Sequence, residues 1–218
     1  YLHGLVNAAQ GKKMSKSKGN VTNPTALIAK YGTDALRIGL IVGNTPGTNL
    51  ALSEDKIRGY KNFANKLWNI SRFVLESTSG QGATTAFAYD PVFSAWSEAE
   101  KALTAERDAL VAEITKEMDD NKFYLVAEKL YHYIWHRFAD VILEDSKTIL
   151  GSAAPSAAPT TATPADKTSR AQFLLHTHRA ILKTMHPFIP FVTEEIWSLL
   201  PKATGEQELL MVEKWPTA

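Results

Sequence analysis

Apolar residues recur at helical spacing along most of this chain. Leu27, Ile28 and Tyr31 line one face of a short first helix. Asn23-Pro24 starts it, with asparagine as N-cap and proline at the first helical position. Gly32 is expected to close that helix in the left-handed conformation, and Thr33 to cap a second one. The second helix carries Asp34 in its first turn and buries Ala35, Leu36, Ile38, Gly39 and Val42. Ser53 caps a third, whose Glu54 and Asp55 suit the positive end of a helix dipole. Ile57, Tyr60, Ala64, Leu67, Ser71 and Val74 carry it to about Glu76. After a Ser/Thr/Gly/Ala loop at 77–90, Asp90-Pro91 starts a fourth helix with the stripe Val92, Trp96, Ala99, Leu103, Leu110 and Ile114. Phe123, Ala127, Leu130, Ile134, Phe138 and Val141 predict a fifth, to about Lys147. Leu174, His178, Ile181 and Met185 mark another, stopped at His186-Pro187, and a last one runs from about Pro190 to Leu200. Leu209–Val212 reads as a small strand beside Trp215-Pro216.

Residues 151–168 break the pattern. They are almost entirely Ala, Pro, Ser and Thr, and Pro155, Pro159 and Pro164 argue against a regular helix. A disordered loop joining two helices is expected there. Most other connections are short, which favours antiparallel neighbours. The expected fold is mainly α. An antiparallel helix bundle at 51–201 follows a front region at 1–50 that holds a loop and short helices, and a strand and tail close the chain at 202–218.

Composition narrows the function classes. The chain has no cysteine, so disulfides, thiolate metal sites and cysteine nucleophiles are excluded. Its 24 basic and 23 acidic residues leave a net charge of +1, which excludes a uniformly basic coat but not a local basic patch. No apolar run is long enough to span a membrane, and the start Tyr1-Leu2-His3-Gly4 lacks signal-peptide features. A start without methionine suggests a piece of a longer protein.

The local patch exists. Residues 1–23 carry Lys12, Lys13, Lys16 and Lys18 and no acid, punctuated by Gly4, Gly11 and Gly19. The stretch Gly11 to Asn20 is too polar to be a packed element and reads as a mobile loop. Lysines separated by small hydroxyl residues make a flexible cationic clamp suited to polyanions, triphosphate above all. The spacing is not that of a Walker A loop. The bland alternative is a solvated basic loop.

The peptide Lys13-Met14-Ser15-Lys16-Ser17 is identified as the KMSKS signature of class I aminoacyl-tRNA synthetases. His3-Gly4-Leu5-Val6, Lys18-Gly19-Asn20-Val21 and Tyr31-Gly32-Thr33-Asp34-Ala35-Leu36-Arg37 resemble their valyl/isoleucyl/leucyl subgroup. Thr45-Pro46-Gly47 and the run Gly59 to Asn69 resemble the valyl enzymes, and His186 to Trp197 resembles the segment that closes the subgroup's helical domain. The resemblance implies an anticodon-binding bundle preceded by a KMSKS loop and short stem-contact helices. It implies valine activation by ATP, with Mg2+ expected, and transfer of the valyl group to tRNA(Val). Lys13 and Lys16 would be the catalytic cations. Lys13, Met14, Ser15, Lys16 and Ser17 would together bind ATP, with Gly11 and Gly19 as hinges. The family's second signature, His-x-Gly-His, does not occur here. The chain alone is therefore expected to be inactive, with the rest of the site upstream. A cytoplasmic monomer without membrane contact or bound metal is expected. A free-standing RNA-binding module with a vestigial loop, or the same region of an isoleucyl enzyme, are the alternatives.

The third helix adds residue-level support. Cations, amides and rings interleave there as single-stranded RNA loops require, and Arg58, Asn62, Lys66 and Arg72 are the candidate tRNA contacts. Tyr60, Leu67 and Trp68 are expected in the core. Glu98, Glu100, Glu106, Asp108, Glu113 and Glu117 are expected on a solvated face. His132 and His136, four apart, lack a third metal ligand. His178 reads as a satisfied core histidine, and His186 as a backbone cap.

Overall fold

The computed structural model describes residues 2–79, 96–151, 161–202 and 205–217. Helices dominate these. The front region holds α1 (Pro24–Tyr31), α2 (Thr33–Ile41) and a two-stranded parallel sheet, β1 (Val6–Asn7) against β2 (Leu50–Ala51), with Val6 opposite Leu50. Behind it lie α3 (Glu54–Ser79), α4 (Glu98–Asp119), α5 (Phe123–His132), a π-helical stretch (Tyr133–Leu143), α6 (Glu144–Leu150), α7 (Pro164–Met185) and α8 (Pro190–Leu199).

Local chemistry sets most boundaries. The Asn23 side chain accepts the Thr25 N–H at 2.9 Å, and Pro24 fills the first helical position. Gly32 does end α1, its N–H bonding Ile28 O at 2.9 Å, but at φ 90° and ψ 156°, not in the left-handed helical region. The same glycine is the N-cap of α2, so Thr33 is the first helical residue and not the cap. The Ser53 hydroxyl caps α3 through the Lys56 N–H at 3.2 Å.

Four further expectations change. Asp90-Pro91 lies outside the described residues, but Trp96 and Ser97 are non-helical, and a capping box of Ser97 with Glu100 starts α4. Residues 152–160 of the expected disordered loop also lie outside the described residues. The rest is ordered: Thr163 and Asp166 form a second capping box, and Pro164 sits at the first position of α7, where a proline costs no hydrogen bond. Val141 is exposed, while Ala139, Ile142 and Leu143 are buried. The wider π turns rotate the face off the 3.6-residue register used to place it. Finally, Leu210–Val212 is a 3-10 turn and not a strand. The Leu210 and Met211 N–H groups donate to the Glu194 carboxylate at 2.7 and 3.1 Å instead of to a sheet partner.

The bundle core gathers around α7, which is buried along most of its length. Leu174, Leu175 and Leu182 are fully enclosed, together with Phe63, Leu67, Ile134, Phe138 and Trp197 from its neighbours. Each such side chain contributes about 1.5–3 kcal/mol. A smaller cluster, Leu27, Ala35, Leu36, Leu52 and Ile57, ties α1 and α2 to the start of α3.

Polar joints complete the assembly. Buried Asp34 accepts the Phe191 and Val192 N–H groups at 3.2 and 2.7 Å, satisfying the first turn of α8. Burial holds its carboxyl above the ordinary carboxylate range, against the opposing pull of those two bonds. One turn on, Arg37 donates to Phe188 O and Pro187 O at 3.3 and 3.0 Å. The α4 acids are not simply solvated. Glu100 is buried against Arg170, Nε to Oε1 at 2.8 Å, and Glu106 pairs with Arg137 at 2.6 Å. Glu113 and Glu117 share Lys129. Burial pushes the Glu100 carboxyl up, but the Ser97 hydroxyl and the Arg170 guanidinium outweigh it and leave the group below its usual range.

Candidate functional site

The lysine loop stands clear of the bundle. Lys12, Lys13, Lys16, Ser17 and Lys18 are exposed, and Met14 and Ser15 are half-buried. Gly11 and Gly19 have φ of 73° and 63°, and a side chain added at either would meet nothing within 4 Å. Between them, Ser15 is extended, Lys16–Lys18 forms one 3-10 turn, and the Ser15 and Ser17 hydroxyls lie 2.8 Å apart. Among the described residues no carboxylate lies within ion-pair distance of any of the four lysines; Lys30, Lys66, Lys101, Lys122, Lys129, Lys147 and Lys183 have one, while Lys56, Lys61, Lys116, Lys167, Lys202 and Lys214, scattered over the bundle and tail, are like the loop lysines in this. The loop's charge is uncompensated in one short stretch. A cavity of about 550 Å³ separates the loop from α1 and α3, with Lys12, Asn20, Asn23 and Glu54 on its walls.

The second candidate surface is the outer face of α3. Arg58, Asn62, Asn65, Asn69 and Arg72, spaced by three or four, are all exposed and form one stripe. Arg58 pairs with Asp55, and Arg72 approaches Glu76 at 3.7 Å. Lys66 sits at the edge of this stripe, half-buried. Its ammonium bonds Asp140 at 2.6 Å and lies 4.2 Å from the Trp135 ring centroid. The structure thus brings Arg58, Asn62 and Arg72 together and turns Lys66 toward the helix next door.

Other expected roles shift. Trp68 is 40% exposed and not core. With Lys61, Asn65 and exposed Phe191 it lines a groove of about 470 Å³ between α3 and α8. Helical spacing did hint at this, because Trp68 falls next to Asn65 and Lys61 and away from Leu67. His186 bonds the Thr193 hydroxyl at 2.9 Å, not a backbone group. His178 is fully buried, but among the described residues neither ring nitrogen has a hydrogen-bond partner. No group of three or more His, Asp or Glu side chains able to hold a metal occurs among the described residues, and no described helix is long and apolar enough to cross a membrane.

Residues 100–218 match the model of the anticodon-binding domain of tRNA ligase, and residues 1–53 that of the class I tRNA synthetases for I, L, M and V. The chain belongs to the tRNA ligases that carry this anticodon-binding domain. Its whole length is similar to one segment of valine–tRNA ligases. It is 39% identical over 217 residues to that of Pelagibacter ubique, covering 100% of this chain and 23% of the relative. The ligase of Carboxydothermus hydrogenoformans is 37% identical over 218 residues, covering 99% and 22%. The chain therefore spans under a quarter of the length of these relatives. Among solved structures, Mycobacterium tuberculosis methionyl-tRNA synthetase in complex with methionyl-adenylate matches with a TM-score of 0.68 at 21% identity, covering 92% of this chain and 38% of that one. The Agrobacterium radiobacter LeuRS–tRNA–LeuAMS ternary complex matches with a TM-score of 0.67 at 19% identity, covering 100% and 23%. At these identities the likeness concerns the fold.

Proposed function

We propose that this class I tRNA ligase segment serves a cytoplasmic valine–tRNA ligase, supplying the loop that grips ATP and the bundle that holds the anticodon stem-loop of tRNA(Val). Residues 1–50 carry the loop and stem-contact helices, residues 51–201 the bundle, and residues 202–218 the tail. The observation that supports this most is the uncompensated charge of Lys13 and Lys16 on an exposed, glycine-flanked loop.

In the complete reaction the valine carboxylate attacks the α-phosphorus of ATP and pyrophosphate leaves. The adenylate then passes its valyl group to the tRNA 3′ end. Negative charge builds on the leaving pyrophosphate as the first step proceeds. Ammonium groups free of carboxylates can meet that charge, and they stabilise the transition state only if they bind it more tightly than the ground state. Lys13 and Lys16 fill this role, Lys16 foremost, with the Ser15 and Ser17 hydroxyls as donors to phosphate oxygens and Met14 beside them. Residues 1–23 contain no carboxylate, so a magnesium ion accompanying the nucleotide would draw no carboxylate ligand from this stretch. Without a His-x-Gly-His peptide the chain alone performs no valine-dependent pyrophosphate exchange. Whole-length similarity to valine–tRNA ligases favours this reading over an isoleucyl enzyme or a free-standing module.

The test is Lys16→Ala in the complete ligase. Adenylation should slow by about 100-fold or more, the range for removing one transition-state donor, while KM for valine stays within a few-fold. Equal losses in rate and valine affinity would remove Lys16 from the transition state.

A further inference from the structure

The lysine loop carries a brace outside its five-residue signature. Asn20 follows the Gly19 turn, and its side chain reaches back across the loop. Oδ1 accepts the Ser15 N–H at 2.8 Å, and Nδ2 donates to the Lys13 carbonyl at 3.1 Å. One carboxamide thereby satisfies a donor and an acceptor two residues apart. A carboxylate would lack the N–H, and a hydroxyl side chain is too short to span both. Inside the ring so closed, Lys18 N–H bonds Ser15 O and Gly19 N–H bonds Lys16 O, both at 3.2 Å. The stretch 13–20 is thus one hydrogen-bonded unit. Gly11 lies outside the ring, at positive φ with open space around it, and the cavity beneath leaves the unit room to swing.

We propose that Asn20 is the positioning residue of the lysine loop. Its carboxamide holds the backbone of residues 13–17 in one shape before nucleotide arrives, so that Lys13 and Lys16 meet the phosphates with little ordering left to do. A loop already ordered loses less entropy when it closes, and that saving appears in the step that closure serves. This rests on the reading that the loop lysines act on ATP phosphates.

Two measurements test it. In this chain, Asn20→Ala should speed amide hydrogen exchange at Ser15 about tenfold, with exchange in α3 and α7 unchanged; an unaltered Ser15 rate would overturn the brace. In the complete ligase, Asn20→Ala should lower kcat for adenylation about 10-fold, the factor expected for two hydrogen bonds of ordinary strength. KM for valine and affinity for tRNA should stay within twofold. Lys16→Ala is run alongside. An impaired Lys16→Ala enzyme with an unimpaired Asn20→Ala enzyme would refute the positioning role and leave the loop reading standing. A fully active Lys16→Ala enzyme would remove the loop reading and the proposal with it.

Discussion

Replacing His178 with leucine should flatten the acid sensitivity of this fold by a calculable amount. His178 is fully buried on α7, and burial, with nearby Arg179 adding to it, pushes its imidazole from 6.5 down to about 3. The folded state therefore keeps it neutral across the ordinary pH range. The unfolded chain takes up a proton below 6.5 that the folded chain refuses. Stability is thus complete above 6.5, falls as pH drops through the unfolded value, and goes on falling until the folded value near 3. Integrated from pH 7 to pH 5, this one group costs about 2 kcal/mol, and down to pH 3 about 4 kcal/mol. His176, which burial and then the neighbouring Arg107 push to about 3, adds in the same direction, but it is present in both proteins and cancels in the comparison. The assay is urea denaturation at pH 5, 6 and 7. The wild-type loss between pH 7 and pH 5 should exceed that of His178→Leu by about 2 kcal/mol. NMR of the His178 ring protons in the folded protein should show no titration above pH 4.5. Identical pH profiles for the two proteins, or a His178 resonance titrating near 6.5, would refute the reasoning.

Three further outcomes follow from the contacts. Glu100→Ala leaves buried Arg170 with only the exposed Asp145 carboxylate as counter-charge and opens the Ser97 capping box, and should cost about 3–5 kcal/mol in chemical denaturation, whereas Glu100→Leu with Arg170→Met should lie within about 2 kcal/mol of wild type. An equally large loss in the double variant would show that the pair is more than a desolvated charge match. A Cβ at Gly4 would sit 1.5 Å from Thr48 O, so Gly4→Ala should separate β1 from β2; the Leu50 N–H, bonded to Leu5 O at 2.9 Å, should then exchange faster while α7 stays protected. Arg58→Ala or Arg72→Ala should weaken tRNA binding and reduce the slope of log affinity against log salt by up to about one unit; an unchanged slope would make both surface charges.

Helix positions and the lysine loop were legible along the chain because each depends on neighbours. Asn23-Pro24, Ser53 and the three-to-four spacing in α3 act over a turn or two, and the exposure of Lys13, Lys16 and Ser17 follows from polar residues between glycines. The capping boxes at Ser97 and Thr163 were equally local, but the proline-rich composition before α7 masked the second. What was hidden depended on partners far away in sequence. Glu100 and Arg170 are 70 residues apart, and Arg37 and Phe188 are 151 apart, so no local pattern marks the first pair as buried or the second as a joint between the front region and the bundle. The π turns in Tyr133–Leu143 moved Val141 outward, and apolar spacing read at 3.6 residues per turn does not signal them. Periodicity reports which face a helix hides. Which buried charge finds a counter-charge, and which aromatic ring at the edge of that face meets water as Trp68 does, is settled only when the helices come together.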